Sequence, residues 1–408
     1  MNTLSSLPSS GVWSRRDFVT ATGAAGLMAA TMPSFAQDVA QRKIKLGIIG
    51  CGGRGRWLAN LFRKHGGYDV FAVGDYFEDR ATGAANDGNI PRERCFTGLD
   101  CHKKVLGAKP DAVAIITPPY FHPQEVADAV DAGVHVYLAK PLAVDVPGCQ
   151  SIEASGKRAA EKKLCFLADF QTRAQPFYKE AIAKVHDGAL GDIAFGEAYY
   201  HTGRIGTQMQ PGTPEARLRN WVFDKALSGD IITEQNIHTL DVMSWIFKTP
   251  PLHAFGTGGR KSRVDVGDCW DHFALVFQYP NSVGVTFSSR QFEGHGAEEG
   301  IVCRVFGSKG VLETSYGGNV MIRGGEGSFY RGGKTEKIYE EGAVNNIATF
   351  HDSIVKGDAS NPTLAPSIQS NLITIMGRKA AYTGKLVTWE ETIKDTERLD
   401  GKLEGLKI

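Results

Sequence analysis

The stretch that decides the fold is Ile44-Lys45-Leu46-Gly47-Ile48-Ile49-Gly50-Cys51-Gly52-Gly53-Arg54-Gly55. An apolar run ends here in the pattern G-x-G-x-x-G, and an amphipathic segment follows at residues 57–64. This order predicts a strand, a tight turn and a helix, in which the glycines let the backbone approach a pyrophosphate at the helix N-terminus. The predicted pyrophosphate-binding residues are Gly50, Cys51, Gly52, Gly53, Arg54 and Gly55.

A carboxylate closes the next apolar run. Residues 70–75 read as a second strand that ends at Asp75, which is suited to accept hydrogen bonds from a ribose diol. A glycine pattern alone is weak evidence in a chain with 48 glycines. Together with the strand, the helix and the acid, it predicts a nicotinamide dinucleotide site. Asp75 favours NAD over NADP, because a carboxylate repels a 2′-phosphate.

Strands and helices alternate up to about residue 165. The apolar runs 111–117, 134–138 and 164–167 are typical of strands covered on both faces. This alternation predicts a parallel, doubly wound α/β sheet, in which ligands bind beyond the carboxyl ends of the strands. Further cofactor-binding residues are therefore expected at that edge, namely Thr117, Pro118, His122, Lys140 and Gln171.

The pattern changes after about residue 175. Short β-rich runs at 193–201, 273–279, 283–288, 301–306 and 310–314 are separated by Gly, Asn or Pro. They predict an open, mostly antiparallel sheet with a few helices, closed by a helix over residues 364–383. The predicted organisation is a Rossmann domain over residues 37–165 and an α+β substrate-binding and oligomerisation domain over residues 166–408.

The N-terminus reads as an export signal. Ser14-Arg15-Arg16-Asp17-Phe18 is a twin-arginine pattern. A weakly apolar run follows it and ends at Ser34-Phe35-Ala36, whose small residues are typical of a signal-peptide cleavage site. We predict a leader over residues 1–36 and a periplasmic or secreted mature protein, exported folded. Because the periplasm offers no pool of nicotinamide nucleotide, this suggests a cofactor that stays bound and is restored in each cycle.

Composition excludes several classes of partner. The formal net charge of +1 gives no reason to expect nucleic acid or an anionic membrane. Seven cysteines without C-x-x-C pairs form neither a disulfide framework nor a zinc motif. Cys95 and Cys101 could pair in an oxidising compartment, and the other five read as small buried residues.

Three residues are candidates for chemistry. Lys140 follows a strand at the cofactor edge, where an ammonium can bind a substrate hydroxyl; a surface lysine is the alternative. Glu234 and His238 are four residues apart and would share one helix face as a proton-transfer pair. A satisfied polar pair explains them equally well, and without a third ligand a metal site is not predicted.

A second group of residues suits a polyhydroxylated ligand. Tyr200, Arg204, Asn220 and Trp221 combine flat apolar faces with planar hydrogen-bonding groups. With His238 they form the predicted substrate-binding set, although any one of them alone is better explained as a surface arginine or a core aromatic.

The chain resembles the Gfo/Idh/MocA oxidoreductases over nearly all of its predicted mature length. The resemblance rests on the glycine loop, Asp75, Thr117-Pro118 with His122, Lys140-Pro141 and the His238 segment. It implies oxidation or reduction of sugars or cyclitols with NAD or NADP, a homodimer or homotetramer, and catalytic roles for Lys140, Glu234 and His238. Two departures stand out: Ala139 replaces the family's usual Glu before the lysine, and Glu234-Gln235-Asn236 replaces the usual pattern before the histidine.

We therefore predict an exported sugar or glycoside oxidoreductase with tightly bound, internally recycled NAD. Hydride leaves a carbinol carbon while Lys140 and His238 handle the hydroxyl proton and Glu234 supports His238. Two alternatives remain open: a redox-neutral glycosidase that oxidises, eliminates, hydrates and re-reduces, and a sugar-binding scaffold without catalysis.

Overall fold

The computed structural model describes residues 43–325 and 327–408, and residues 44–408 form one compact unit. The predicted leader, residues 1–36, lies outside the described residues. Within those residues, no helix combines the length and apolar character that a membrane crossing needs.

A six-stranded parallel sheet organises the first part of the unit. Its strand order is β3-β2-β1-β4-β5-β6, as in doubly wound folds. Its strands are β1 (Ile44–Ile49), β2 (Tyr68–Asp75), β3 (Cys95–Thr97), β4 (Ala112–Ile115), β5 (His135–Ala139) and β6 (Phe166–Asp169). The central strand β4 is buried along its whole length, which explains its unbroken apolar sequence.

Helices connect these strands and cover both faces of the sheet. They are α1 (Gly53–His65), α2 (Glu78–Asp87), α3 (Cys101–Gly107), α4 (His122–Asp131) and α5 (Val146–Glu161), with a 3₁₀ turn at Arg92–Arg94. Since β1 and β4 are neighbours with their crossover helices on opposite sides, the loops after them meet at one edge of the sheet. That edge is where the candidate site forms.

A nine-stranded mixed sheet organises the second part. Its order is β14-β13-β12-β11-β7-β10-β9-β8-β15, antiparallel except for the parallel pair β7 and β10. The strands are β7 (Ile193–Thr202), β8 (His253–Gly259), β9 (His272–Tyr279), β10 (Val283–Gln291), β11 (Gly300–Gly307), β12 (Gly310–Ser315), β13 (Asn319–Gly324), β14 (Tyr330–Lys334) and β15 (Val387–Thr388). In β9 and β10 buried and less buried residues alternate, so one face of this sheet packs against helices and the other does not.

The remaining helices join and close the two parts. They are α6 (Gln171–Ala174), α7 (Pro176–His186), α8 (Pro214–Arg219), α9 (Lys225–Ser228), α10 (Ile231–Glu234), α11 (Ile237–Phe247), α12 (Ile338–Lys356), α13 (Leu364–Thr383) and α14 (Trp389–Ile393), with a 3₁₀ turn at Trp221–Phe223. Helix α13 contributes Ile368 to the core of the first sheet and Met376 to the core of the second. It also accepts and donates hydrogen bonds through Asn371 to the backbone of Leu142 and Ala143.

The predicted fold class is confirmed: a parallel Rossmann-type sheet with helices, followed by a mostly antiparallel sheet. The closing helix has the predicted bounds, Leu364–Thr383. The boundary at residues 165 and 166 stays a prediction. All seven cysteines lie among the described residues, and all are free thiols, so Cys95 and Cys101 do not pair.

Candidate active site

The glycine loop after β1 is built on two positions that accept no side chain. Gly50 has a φ of +93°, and a Cβ there would lie 2.6 Å from the backbone carbon of Ile116. A Cβ on Gly55 would lie 1.9 Å from the carbonyl oxygen of Gly50. Because neither residue has a Cβ, helix α1 can start directly against the edge of the strand.

The middle of the loop is open. A Cβ on Gly53 would meet nothing within 4 Å, and one on Gly52 would meet only Arg80, at 3.7 Å. Among the described residues no side chain caps the N-terminus of α1, and its first turn contains no acid. The free N–H groups and the positive end of the helix dipole therefore fit a pyrophosphate.

Asp75 lies at the end of β2 and is largely buried. Its carboxylate accepts hydrogen bonds from the backbone N–H groups of Cys51 (2.7 Å) and Phe77 (2.8 Å). Burial raises the pKa of Asp75, against the opposing effect of these two N–H donors. Each carboxylate oxygen can accept a further bond, as a ribose diol requires. Cys51 itself is buried, and its thiol contacts the carbonyl oxygen of Gly74, so its contribution to the loop is structural.

A cleft of about 300 Å³ runs along this edge. Most of the predicted cofactor residues line it: Gly50, Gly52, Gly53, Arg54, Gly55, Asp75, Thr117 and Pro118. Its opposite wall comes from later in the chain, through Gln208, Leu218 and Trp221. Trp221, predicted for the substrate, therefore lies on the cofactor side.

His122 lies under the cleft, not on its wall, and is only 1% exposed. Its ring nitrogens approach the carbonyl oxygens of Pro141 (2.9 Å) and Thr117 (2.8 Å). Burial lowers the pKa of His122 to about 4, so the neutral ring donates one of these bonds. This histidine ties the loop after β4 to the loop after β5 and so positions the cleft wall. Its predicted contact with a cofactor stays a prediction.

Glu125 is a buried acid on the same turn of α4. It lines the cleft and accepts a hydrogen bond from the hydroxyl of Thr117. Burial raises the pKa of Glu125 to about 8, because among the described residues no cation pairs with it. At neutral pH the carboxyl is therefore mostly protonated.

Lys140 follows β5 and points across to the second part of the unit. Its Nζ donates to the backbone carbonyl of Glu234 (2.6 Å) and to the Glu234 carboxylate (3.1 Å). Both side chains are largely buried, at 12% and 15% exposure. A third N–H of the ammonium is left for a ligand. Glu234 thus supplies the negative charge that Ala139 does not provide.

Glu234 and His238 do not share one continuous helix. Helix α10 ends at Glu234, and α11 begins at Ile237. Residues 235 and 236 form a turn between the two helices, and the side chain of Gln235 accepts a hydrogen bond from Gln291 of β10 (2.7 Å). The predicted support of His238 by Glu234 is therefore not seen: the carboxylate pairs with Lys140.

His238 is a buried neutral base. Burial lowers its pKa well below the usual value, and the nearby cations of Lys140 and Arg54 lower it further. Its Nδ1 has no hydrogen-bond partner among the described residues. The ring lies 5.4 Å from that of Tyr316, between ring centres. An unpartnered imidazole nitrogen near an ammonium can accept a proton from a bound hydroxyl.

Arg54 and Asp169 form a second buried ion pair at the same edge. Asp169 also accepts hydrogen bonds from Gln171 (3.3 Å) and Asn346 (2.8 Å). The Oε1 of Gln171 has no partner among the described residues, so it is free to receive an amide N–H of a nicotinamide. Gln171 itself is buried and does not line the cleft, so its cofactor contact stays a prediction.

The other residues that were predicted to bind substrate do not all lie at one place in the structure. Tyr200 is close enough to Glu234 for the carboxylate to raise its pKa, an effect second to burial. Arg204 is exposed and pairs with Asp265 (2.5 Å). Asn220 is buried and bonds the backbone of Gln208 and Met209. Only Tyr200 and His238 of the predicted set therefore lie at the candidate reaction centre.

Several functional residues carry no sequence signal of their own. Their positions depend on contacts between distant segments; they are Phe77, Arg80, Glu125, Asp169, Gln208 and Tyr316. Asp169 alone follows a recognisable strand at the ligand edge, where an acid could have been singled out. Among the described residues no three His, Cys, Asp or Glu side chains form a cluster suited to a metal ion.

The chain matches two parts of one family. Residues 44–169 match its "Oxidoreductase family, NAD-binding Rossmann fold", and residues 178–313 match its "GFO/IDH/MocA C-terminal domain". Curated relatives include the myo-inositol dehydrogenase Hyg17 of Streptomyces leeuwenhoekii, 25% identical over 70% of this chain and 81% of the relative. They also include the inositol 2-dehydrogenase of Rhizobium meliloti, 22% identical over 83% of this chain and 96% of the relative.

The fold is shared with solved structures. One is a levoglucosan dehydrogenase in complex with NADH and levoglucosan, with a TM-score of 0.68, 16% identity, and coverage of 85% of this chain and 99% of that one. The two family matches cover most of residues 44–313, including the glycine loop, Lys140 and His238. The chain belongs to the GFO/IDH/MocA family of oxidoreductases, and its first sheet is that family's NAD-binding domain.

Proposed function

We propose that this protein oxidises carbinol carbons, and reduces carbonyl carbons, of sugars or glycosides outside the cytoplasm, with an NAD that stays bound between turnovers. The observation that carries the proposal is the meeting of Lys140, Glu234 and His238 at the open end of the NAD-binding sheet. The relatives named as inositol dehydrogenases support a polyol substrate.

The geometry divides the proton chemistry between two residues. Lys140 holds the substrate hydroxyl oxygen through its remaining N–H, while Glu234 keeps the ammonium in place. His238, neutral because of burial and two nearby cations, takes the hydroxyl proton. Bound NAD supplies the hydride acceptor, so the carbinol becomes a carbonyl; the reverse reaction returns proton and hydride to a second carbonyl.

The charges of the site favour a neutral substrate. Lys140 is paired with Glu234, and Arg54 with Asp169, so neither cation is left over for an anionic group. Tyr200 and Tyr316 lie next to these pairs and offer a flat apolar face and a hydroxyl each. An uncharged sugar ring satisfies both features.

Export and retention of the cofactor are linked in this proposal. The twin-arginine pattern Ser14-Arg15-Arg16 supports transport of a folded protein, and its residues lie outside the described ones. A cofactor loaded before export must remain bound afterwards. The two-sided wall of the cleft, described above, is consistent with slow release.

We also propose a homodimer or homotetramer formed through the uncovered face of the second sheet. Phe255 and Val276 are 52% and 45% exposed there, on the adjacent strands β8 and β9. Phe195 and Phe306 stack on the same sheet, with ring centres 4.5 Å apart. An apolar sheet face of this kind is typical of a protein interface.

The function is tested by supplying substrates without cofactor. Protein comprising residues 37–408, purified without added NAD, is incubated with pairs of free sugars and with glycosides, and products are identified by mass. We expect one sugar to be oxidised as another is reduced, with Lys140→Met slowing both changes by about 10²–10⁴-fold. Cleavage of a glycoside without net oxidation would instead identify a redox-neutral glycosidase. Sugar binding by calorimetry without any chemistry would identify a scaffold.

A further inference from the structure

Residues 203–213, called the strap from here on, cross from the second sheet to the cofactor cleft. The strap joins β7 to α8 and contains neither helix nor strand. Most of its residues are exposed, yet Gln208 reaches the wall of the cleft that holds the glycine loop. An exposed segment placed at a binding site needs specific anchors to stay there.

The main anchor is the side chain of Asn220. Its Oδ1 accepts hydrogen bonds from the backbone N–H groups of Gln208 (2.8 Å) and Met209 (3.3 Å), and its Nδ2 donates to the carbonyl of Met209 (2.6 Å). Asn220 is only 4% exposed. A single buried amide thus satisfies both polar groups of Met209 and the N–H of Gln208, as a neighbouring strand would.

From this anchor the strap reaches across the cleft. The Oε1 of Gln208 accepts a hydrogen bond from Arg80 Nη2 (2.5 Å) on the helix that follows Asp75. The same guanidinium lies beside Gly52 of the glycine loop. The bridge therefore joins the two walls directly over the predicted pyrophosphate position.

A second connection between the two walls joins α8 to α2. Arg219 pairs with both carboxylate oxygens of Asp79, at 2.7 and 2.9 Å. The guanidinium carbons of Arg219 and Arg80 lie 3.9 and 5.1 Å from the ring centre of Phe77. Both walls are thus tied to Phe77 in the loop after β2, the strand that ends at Asp75.

We infer that the strap, fastened by Asn220 and bridged through Gln208 and Arg80, retains the dinucleotide in its cleft and sets the rate at which it leaves. The inference rests on the proposed function in that NAD occupies this cleft. Among the described residues no hydrogen bond or ion pair links Asn220 or Gln208 to Lys140, Glu234 or His238. The strap therefore controls release of the cofactor and not the chemical step, and Asn220 is a positioning residue for NAD, not a substrate ligand.

The test measures dissociation of NADH from protein that has been reloaded with it. Bound NADH is followed by its fluorescence after excess NAD is added, for wild type, Asn220→Leu, Gln208→Ala and Gln210→Ala. Gln210 is an exposed strap residue without a hydrogen bond to any described residue, so Gln210→Ala is the matched control. We expect Asn220→Leu to release NADH at least tenfold faster than wild type, Gln208→Ala several-fold faster, and the control within twofold.

The outcomes separate this inference from the proposed function. Release within twofold of wild type in both Asn220→Leu and Gln208→Ala would overturn the role of the strap, even if wild type holds NAD permanently. Faster release in Gln208→Ala alone supports the bridge should Asn220→Leu fail to fold. Weak NAD binding by wild type itself would count against permanent retention, whatever the ratio between variants.

Discussion

Two cations and two carboxylates meet at the candidate reaction centre, and their pairing decides which residue can act as a base. Lys140 pairs with Glu234 and Arg54 with Asp169, while His238 is left neutral between the two cations. The partner of Lys140 could not be predicted from the sequence. Ala139 suggested a missing charge, yet the charge arrives from a residue 94 positions away.

Lys140→Met should reveal both roles of this lysine. We expect kcat/KM to fall by about 10²–10⁴-fold, the range typical of lost proton-transfer assistance. The residual activity should also change its pH dependence. His238 must be neutral to act, and its pKa lies below the ordinary 6.5, so the acid limb of wild type lies below pH 6.5. Removing the adjacent cation raises that pKa and moves the limb to higher pH.

A control for this substitution is Lys157→Met, on the exposed face of α5, where the side chain is 72% exposed. Its pH–rate profile should match that of wild type. A Lys140→Met variant with turnover within threefold of wild type, or with an unmoved acid limb, would contradict the assignment.

Glu125 gives the folded protein a pH-dependent stability. Its pKa rises from an ordinary 4.5 to about 8 on burial. Between these values the folded state keeps a proton that the unfolded state has released, so stability decreases by about 1.4 kcal/mol per pH unit. Glu125→Gln removes this loss. Urea unfolding at pH 5.5 and 7.5 should show the variant gaining about 3 kcal/mol on wild type across the interval; parallel behaviour of the two proteins would disprove a protonated Glu125.

The glycine loop is the element that the sequence predicts best. Its strand, turn and helix follow from local patterns, and Gly50 and Gly55 are required by contacts with their own immediate surroundings. The segment that carries Glu234 and His238 was predicted less well. Their spacing suggested one shared helix face, but helix α10 ends at Glu234 and α11 begins at Ile237. The hydrogen bond between Gln235, which lies in the break, and Gln291 joins distant elements and has no local signature.

Alanine substitutions within the glycine loop should distinguish positions where a Cβ would clash from positions where it would not. Gly55→Ala places a Cβ 1.9 Å from the Gly50 oxygen, so the loop must move, and we expect a marked loss of thermal stability and of NAD binding. Gly53→Ala meets no atom within 4 Å and should leave the melting temperature of the NAD-free protein nearly unchanged. Equal melting temperatures for the two variants would show that the close approach of helix α1 to the strand is not as described.

At the scale of the molecule, the predicted classes of sheet are confirmed, whereas the contacts between the two parts were not foreseen. Asn220 and Trp221 were predicted to bind substrate because of their residue types. In the structure, one fastens the strap and the other lines the NAD cleft. Residue type indicates which ligand a side chain suits. The ligand that it reaches depends on tertiary packing, here of Leu218 and Trp221 in one cluster with Phe77.

The uncovered sheet face leads to a prediction about assembly. Val276→Lys places a charge in the middle of that face, next to Phe255, and should shift the particle mass in light scattering to that of one chain. Val355→Lys on helix α12 is the control, since Val355 is 67% exposed and away from the sheet. A wild-type protein that is already monomeric at micromolar concentration would contradict the proposed interface.

Permanent loading with a dinucleotide should be visible in the cofactor content of the isolated protein. The protein is expressed as residues 1–408 or as residues 37–408 and purified with no nucleotide added. It is then denatured, and the released nicotinamide is identified by mass and near-ultraviolet absorbance. We predict one NAD or NADH per chain after extensive dialysis. A protein that emerges empty and rebinds NAD only weakly would contradict internal recycling.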